Sequence, residues 1–298
     1  MALYSVGDYI HDVRKRRGIT QEELAGGICS AGTLSRIENN SQAPTARTYC
    51  ALMERLGETP HLFSVFTSVE EIRSYKMSRK ILRQLSNHQM REVDELLTDY
   101  TENIGEKNQM ALQFAIYAKA ISRSKRKENP KQICRELQKA LQLTMQEECH
   151  SGVYKKKRIL TFDEILIWNN IAIQYSRMGE EKKAKRILFG LKEHLENPLN
   201  DDEYKASLYP VIVCNIAKWM NETEKYEEAE INCLEGIKIC LEYGKLVPLP
   251  FLFYQKANSH AKRKEHKKAR ECFRYVENLL EIMQLEREIL AEEMIVAM

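Results

Sequence analysis

Residues 20–38, TQEELAGGICSAGTLSRIE, constrain what this chain can fold into more than any other stretch. Thr20 followed three residues later by Glu23 is a capping box, which predicts a helix starting at Gln21. Leu24, Ala25 and Ile28 form its apolar face, and Gly26 and Gly27 weaken its end. Cys29-Ser30 reads as a tight turn, with Ser30 as N-cap of a second short helix from Ala31 to Asn39. At helical spacing Leu34 and Ile37 face inward, while Ala31, Gly32, Thr33, Ser35 and Arg36 face outward. Two short helices joined in this way form a helix-turn-helix, whose second helix can lie in the major groove of DNA.

The flanking sequence completes a small helical domain over residues 1–66. Val6, Ile10 and Val13 recur at i, i+4 and i+7 and predict a first helix ending near Gly18. Pro44 and Thr45 open a fourth, with Tyr49, Leu52, Met53 and Leu56 on one face and Gly57 as its stop; HLFSVF after Pro60 adds a further turn. Residues 1–66 hold seven Lys/Arg and seven Asp/Glu, and the whole chain of 298 residues has a net charge of only +3. Bulk electrostatics therefore give no argument for nucleic-acid binding. DNA affinity has to come from the motif, from local patches and from a dimer.

Residues 7–57 resemble the Xre/lambda-repressor type of helix-turn-helix domain. The matching features are G-x-x-I-x-x-V-R, then G-I-T-Q-E-E-L-A, then L-S-R-I-E with a Pro six residues on. The resemblance implies that Gln21 touches a DNA phosphate, and that Arg14 and Glu38 form a partly buried ion pair tying the first helix to the recognition helix. Removing one partner of such a pair costs about 3–5 kcal/mol if it is well buried. Arg36 matches a groove-facing position, where it either reads guanine, worth about 1–3 kcal/mol, or contacts phosphate, which positions without specifying. Ala31 and Gly32 stand where many relatives carry long polar readers. They offer a thymine-methyl contact or close backbone approach and little sequence reading. Ser30, Thr33, Ser35, Asn39 and Asn40 complete the candidate DNA-contacting set.

From residue 67 to 298 the chain becomes a succession of amphipathic helices with short breaks. They are predicted over 69–86, 88–103, 107–127, 130–147, 161–178, 180–196, 202–221, 223–243, 249–264 and 266–284, with a terminal helix over 285–297 acting as cap or dimer contact. Pairs repeat. The clearest copy runs from Trp168 through Ile171, Ala172, Tyr175, Gly179 and Ala184 to Leu188, which resembles the tetratricopeptide pattern. Val213–Met220 and Phe253–His260 begin the next two. Ala184, Ala229 and Ala269 lie 45 and 40 residues apart, longer than the usual period of about 34. The expected fold is all-α: a lambda-repressor-like helix-turn-helix domain followed by a tetratricopeptide-like right-handed α-solenoid.

In such a stack the first helices of the pairs line a concave face. Amides there can grip an extended peptide backbone, because each offers a donor and an acceptor. Asn169, Asn170, Asn215 and Asn258 are the candidate peptide-binding residues, with Gln174, Tyr175, Lys218, Tyr209, Tyr254 and Lys256 as weaker lining candidates. Asn170 and Asn215 share a repeat position before I-A, where an inter-helix hydrogen bond is the competing reading. The Lys/Arg runs at 122–127, 155–158 and 262–268 read as solvated surface, with a phosphate or acidic-partner contact as the alternative.

Other classes find little support. The chain has no Gly-rich phosphate loop, HExxH or nucleophile elbow, so no enzyme, cofactor or metal site is expected. Its eight cysteines form no CxxC pair and read as core thiols, with a redox sensor as the alternative. No apolar run is long enough to span a bilayer and no signal-peptide pattern is present, so the expected location is the cytoplasm.

The two-part layout resembles the Rgg/PlcR-type (RRNPP) peptide-pheromone-responsive transcriptional regulators. The resemblance implies a homodimer on an inverted-repeat operator in double-stranded DNA, controlled by a short signalling peptide in the repeats. Two alternatives stay open: the repeats dock a partner protein, or the chain is an adaptor with a relic DNA-binding domain.

Overall fold

The computed structural model describes residues 5–58, 69–86, 89–102, 108–145, 159–198 and 200–283. Among these residues the regular elements are all helices. Four short ones form an N-terminal head: α1 (Val6–Arg16), α2 (Gln21–Ala25), α3 (Ala31–Glu38) and α4 (Ala46–Arg55). Ten longer ones follow: α5 (Val69–Ser86), α6 (Met90–Glu102), α7 (Gln109–Lys125), α8 (Pro130–Gln142), α9 (Phe162–Arg177), α10 (Glu181–Leu195), α11 (Asp202–Glu222), α12 (Tyr226–Glu242), α13 (Leu249–Lys262) and α14 (His266–Met283).

The caps expected in the head are present. Thr20 Oγ1 accepts from Glu23 N at 3.1 Å and the Glu23 carboxylate accepts from Thr20 N at 2.7 Å. Ser30 caps α3 and Thr45 caps α4, each accepting from a backbone N–H three residues on. These bonds satisfy N–H groups that the first turn of a helix leaves without partners. The core consists of Ile10, Val13, Leu24, Ala25, Leu34, Ile37, Ala46, Tyr49, Leu52, Met53 and Leu56.

Val6 departs from expectation: it is 41% exposed. Its neighbour Gly7 turns inward instead, where a Cβ would lie 2.1 Å from the Ile37 carbonyl oxygen. Close approach of α1 to α3 thus selects a residue with no side chain.

Contacts divide the chain into two compact units. One comprises Met1–Glu180 with Leu199–Asp201; the other comprises Glu181–Pro198 with Asp202–Ala297. In the first, α5 packs on α6 and α7, α6 on α7, α7 on α8 and α9, and α8 on α9. In the second, α10 packs on α11, α11 on α12 and α13, α12 on α13, and α13 on α14. Helices that touch both the next and the next but one form a stack of pairs, the arrangement of helical-repeat folds. Trp168, Ala172, Ala184, Ala217, Ala229 and Ala269 of the repeat pattern are all buried.

Cys134, Cys214, Cys233, Cys240 and Cys272 are buried free thiols, while Cys29 and Cys50 are half-buried. Burial pushes the Cys240 thiol up to about 12 and Cys214 well above its usual value, so these sulfurs act as apolar filling.

Two basic runs follow the solvated reading at Lys127, Lys262, Lys264, Lys267 and Lys268, which are exposed, and depart from it at their serines and arginines. Ser122 and Ser124 are buried. Arg123 pairs with Glu128 and Glu136, and Arg126 with Asp94. In the other run Arg263 pairs with Glu230 and Glu265. The Lys/Arg run at 155–158, the turn after Pro60 and the terminal helix expected over 285–297 lie outside the described residues.

Candidate nucleic-acid interface and peptide-contact seams

Helix α3 carries the candidate DNA face. Leu34, Ile37 and Glu38 are buried, Gly32 and Arg36 are exposed, and Ala31, Thr33 and Ser35 are half-buried. The Arg36 guanidinium is braced by Gln42 Oε1 at 3.0 Å and Thr33 Oγ1 at 3.3 Å. This brace holds a forked donor along the outer face of α3, as bidentate reading of a base or phosphate requires.

The base of α3 is clamped. Arg14 donates to Glu38 through Nε at 2.6 Å and through a terminal nitrogen at 2.7 Å, with both side chains almost fully buried. Burial alone would raise the Glu38 pKa, but the hydrogen bonds from Arg14 and Gln21 and the Arg14 charge hold it below the usual value. Gln21 donates to Glu38 Oε2 at 2.7 Å, so its amide nitrogen completes the clamp in the free protein.

The other candidates on this face are placed as follows. Ser30 is exposed and pairs with the Thr33 hydroxyl at 2.9 Å. Asn39 is the C-cap of α3. Asn40 adopts φ +57°; its Nδ2 donates to Asp8 Oδ1 at 3.1 Å and its Oδ1 accepts from the Ser5 hydroxyl. Asn40 therefore ties α1 to the end of α3.

A set of contacts that the sequence did not signal joins the head to α9. Arg55 on α4 donates to Glu164 at 2.9 Å, the two side chains being 2% and 0% exposed. The same guanidinium donates to the carbonyls of Leu24 at 3.4 Å and Gly26, at the C-terminal end of α2. Glu54 accepts from Phe162 N at 3.0 Å. Burial, with Asp163 adding repulsion, raises Glu54 to about 8. Arg47 donates to the Tyr100 hydroxyl at 2.7 Å and to the Met110 carbonyl, and its Asp163 contact is 3.9 Å. Each of these arginines looks in sequence like an ordinary surface residue of α4.

In the first unit, Asn169, Asn170, Gln174 and Tyr175 are brought together on buried α9. Asn170 Nδ2 donates to Leu166 O at 2.8 Å, and its amide offsets part of the upward push that burial gives the Tyr117 hydroxyl on α7. Gln174 Nε2 donates to Ser124 Oγ at 3.0 Å; its Oε1 is buried and has no partner among the described residues. Arg177 also donates to Ser124. The Tyr175 hydroxyl accepts from Gln138 at 3.4 Å.

In the second unit, Asn215 is buried on α11 and half-buried Lys218 lies 3.9 Å from Glu222. Tyr254 packs edge-on against Phe273 of α14 at 6.0 Å between ring centres. Asn258 is half-buried. The polar seam between α11 and α13 is formed by other residues: Asn221 donates to the Gln255 carbonyl at 2.9 Å and accepts from Ser259 at 2.8 Å. Burial raises the Cys233 and Cys272 thiols, and the nearby Lys256 charge offsets part of that rise.

The head's geometry agrees with an independent comparison. Residues 10–63 match the Helix-turn-helix family. No curated protein matches the chain. Among solved structures, the fold is shared with PlcR of Bacillus thuringiensis in complex with the peptide PapR7 and DNA, at 19% identity over 97% of both chains and a TM-score of 0.61. Apo PlcR gives 18% identity over 96% of this chain and 97% of that one, with a TM-score of 0.59. ComR from S. thermophilus, in complex with DNA and its signalling peptide ComS, gives 14% over 97% of both chains and 0.51. At these identities the comparison establishes a common fold: a helix-turn-helix head followed by a helical-repeat stack. Among the described residues no helix is long and apolar enough to cross a membrane.

Proposed function

We propose that this chain is a dimeric transcription factor that binds double-stranded operator DNA through residues 1–66 and is controlled by a short signalling peptide held in residues 67–298. The observation that carries the reading is the pairing of an open, braced α3 face with buried amides on the repeat helices, in a fold shared with PlcR solved with peptide and DNA. Gln21, Ser30, Ala31, Gly32, Thr33, Ser35, Arg36, Asn39 and Asn40 surround the groove-entering helix. A dimer presenting two such helices about 34 Å apart matches half-sites one turn apart on an inverted repeat.

On the repeat side, the open Gln174 Oε1 supports the peptide reading, since a buried acceptor is satisfied by an extended backbone N–H. Asn169, Asn170, Tyr175, Asn215, Lys218, Tyr254 and Asn258 are the further candidate contacts. A peptide that prefers one arrangement of the helices shifts DNA affinity by the difference between its affinities for the two states.

Two measurements test the proposal. Mobility shift on genomic fragments should show retention by the wild type and a loss of about 1–3 kcal/mol for Arg36→Ala. Calorimetric titration with a pooled library of short peptides should give heat that Gln174→Leu abolishes. Retention of every fragment to the same extent by both proteins would sink the DNA half. Absence of heat from every pool would sink the peptide half.

A further inference from the structure

The turn from α13 to α14 and the first half of α14 concentrate positive charge. Residues 261–274 hold seven Lys/Arg against two Glu, whereas the whole chain sums to only +3, so the rest of it is net negative. The run at 122–127 differs in kind, because Arg123 and Arg126 close ion pairs with Glu128, Glu136 and Asp94. In 261–274, Arg263 and Lys268 reach carboxylates. Lys262, Lys264, Lys267, Arg270 and Arg274 are exposed and have no carboxylate partner among the described residues. Helix stability does not account for them. Cations in a first turn oppose the helix dipole, yet α14 begins His266-Lys267-Lys268 with no acid there.

The arrangement decides what fits. Helix α14 packs on α13 and buries Ala269, Cys272, Val276 and Leu280. On its outward side Lys267, Arg270 and Arg274 follow at i, i+3 and i+7, a straight stripe of cations. Beside it Lys268, Tyr275 and Ile282 recur every seven residues, with Tyr275 40% and Ile282 75% exposed. The Phe253 ring of α13 braces Tyr275 at 5.2 Å between centres. Below the turn, buried His260 Nδ1 lies 2.7 Å from Glu265, and Arg263 pairs with Glu230 and Glu265. The turn is therefore set before anything binds, which lowers the cost of binding. A basic stripe alongside an apolar one complements an amphipathic helix with acids on one edge. Exposed Glu271, Glu277 and Glu281 interrupt and follow the cations. A phosphate backbone or anionic lipid surface continuing along α14 meets repulsion from them, while a protein helix can answer them with cations of its own.

We propose that the α13–α14 turn and the outward face of α14 dock an acidic amphipathic helix of a partner protein. Such docking is separate from the peptide reading and holds whether or not α9 takes a peptide.

Fluorescence anisotropy of the full chain tests it, using a labelled synthetic helical peptide with Glu on one face and Leu on the adjoining one. The wild type should bind this probe, and the same residues in scrambled order should bind about tenfold more weakly. Lys267→Glu, Arg270→Glu and Arg274→Glu together should weaken binding about tenfold or more. That triple variant should bind instead a probe with Lys in place of Glu, which also shows that it is folded. Ile282→Ser should weaken binding of the ordered probe and leave the scrambled one unchanged. Equal binding of the Glu probe by wild type and triple variant overturns the proposal. Equal binding of ordered and scrambled probes overturns it too, since diffuse charge attraction then suffices. Non-operator duplex DNA or phosphatidylglycerol vesicles, held by the wild type and released by the triple variant, would assign the patch to that polyanion and overturn it equally. Operator retention is read separately through Arg36→Ala, so each of these results leaves the DNA half to its own test.

Discussion

The side chain with the most at stake in the head is Glu38, because Arg14 and Gln21 both spend their donors on it. Glu38→Gln leaves the Arg14 guanidinium buried without a counter-charge, and unfolding in urea should show a loss of about 3–5 kcal/mol. The pH dependence follows from the depressed Glu38 pKa. Its contribution is complete above the unfolded-state carboxylate value and fades as pH falls through the lower folded value. Glu54 has the opposite sign. With a folded pKa raised to about 8, the folded state holds a proton that the unfolded state has released. Stability is therefore lost as pH rises from the ordinary glutamate range to about 8. Glu54→Gln should remove that slope in melting temperatures recorded between pH 5 and 9. Both residues sit on periodic helices and were easy to place, but only packing against a second helix tells a clamped carboxylate from a solvated one.

At the scale of elements, the turn between α2 and α3 is held from outside the head. Gly27 adopts φ +76°, and a Cβ there would lie 2.5 Å from the Thr144 carbonyl oxygen. Gly27→Ala combines a disfavoured dihedral with a backbone clash and should cost more than about 1 kcal/mol, measured by thermal unfolding. Arg55 closes the same turn, reaching the α2 carbonyls with one nitrogen and Glu164 with another. Arg55→Met should be strongly destabilising, whereas Arg55→Met with Glu164→Met should recover part of the loss, since no buried charge is then left unpaired. The caps at Thr20, Ser30 and Thr45 were legible because a cap is a local bond between residues three apart. The choice of Asn221, Gln255 and Ser259 for the α11–α13 seam was not. It depends on the rotation of each helix about its own axis, and one residue's shift turns Tyr254 toward α14 instead.

At the scale of the whole molecule, the head and α5–α9 belong to one compact unit. A fragment of residues 1–66 loses the partners of Arg47, Glu54 and Arg55 at once. It should melt at a lower temperature than the head does within the full chain, as read by hydrogen exchange at Leu34 and Ile37. The sequence alone determined the all-helical class, the helix-turn-helix, the cap residues and the approximate span of the repeat helices. These follow from the 3.6-residue periodicity of apolar side chains and from short-range hydrogen bonds, both written within a few residues of each other. Only the tertiary structure decided that Val6 yields its inward place to Gly7, that Arg55 bonds to Glu164, and that Lys267, Arg270 and Arg274 stay without carboxylate partners among the described residues. Each of those depends on which surfaces meet across more than a hundred residues of chain or across a close helix crossing, and periodicity carries no information about that.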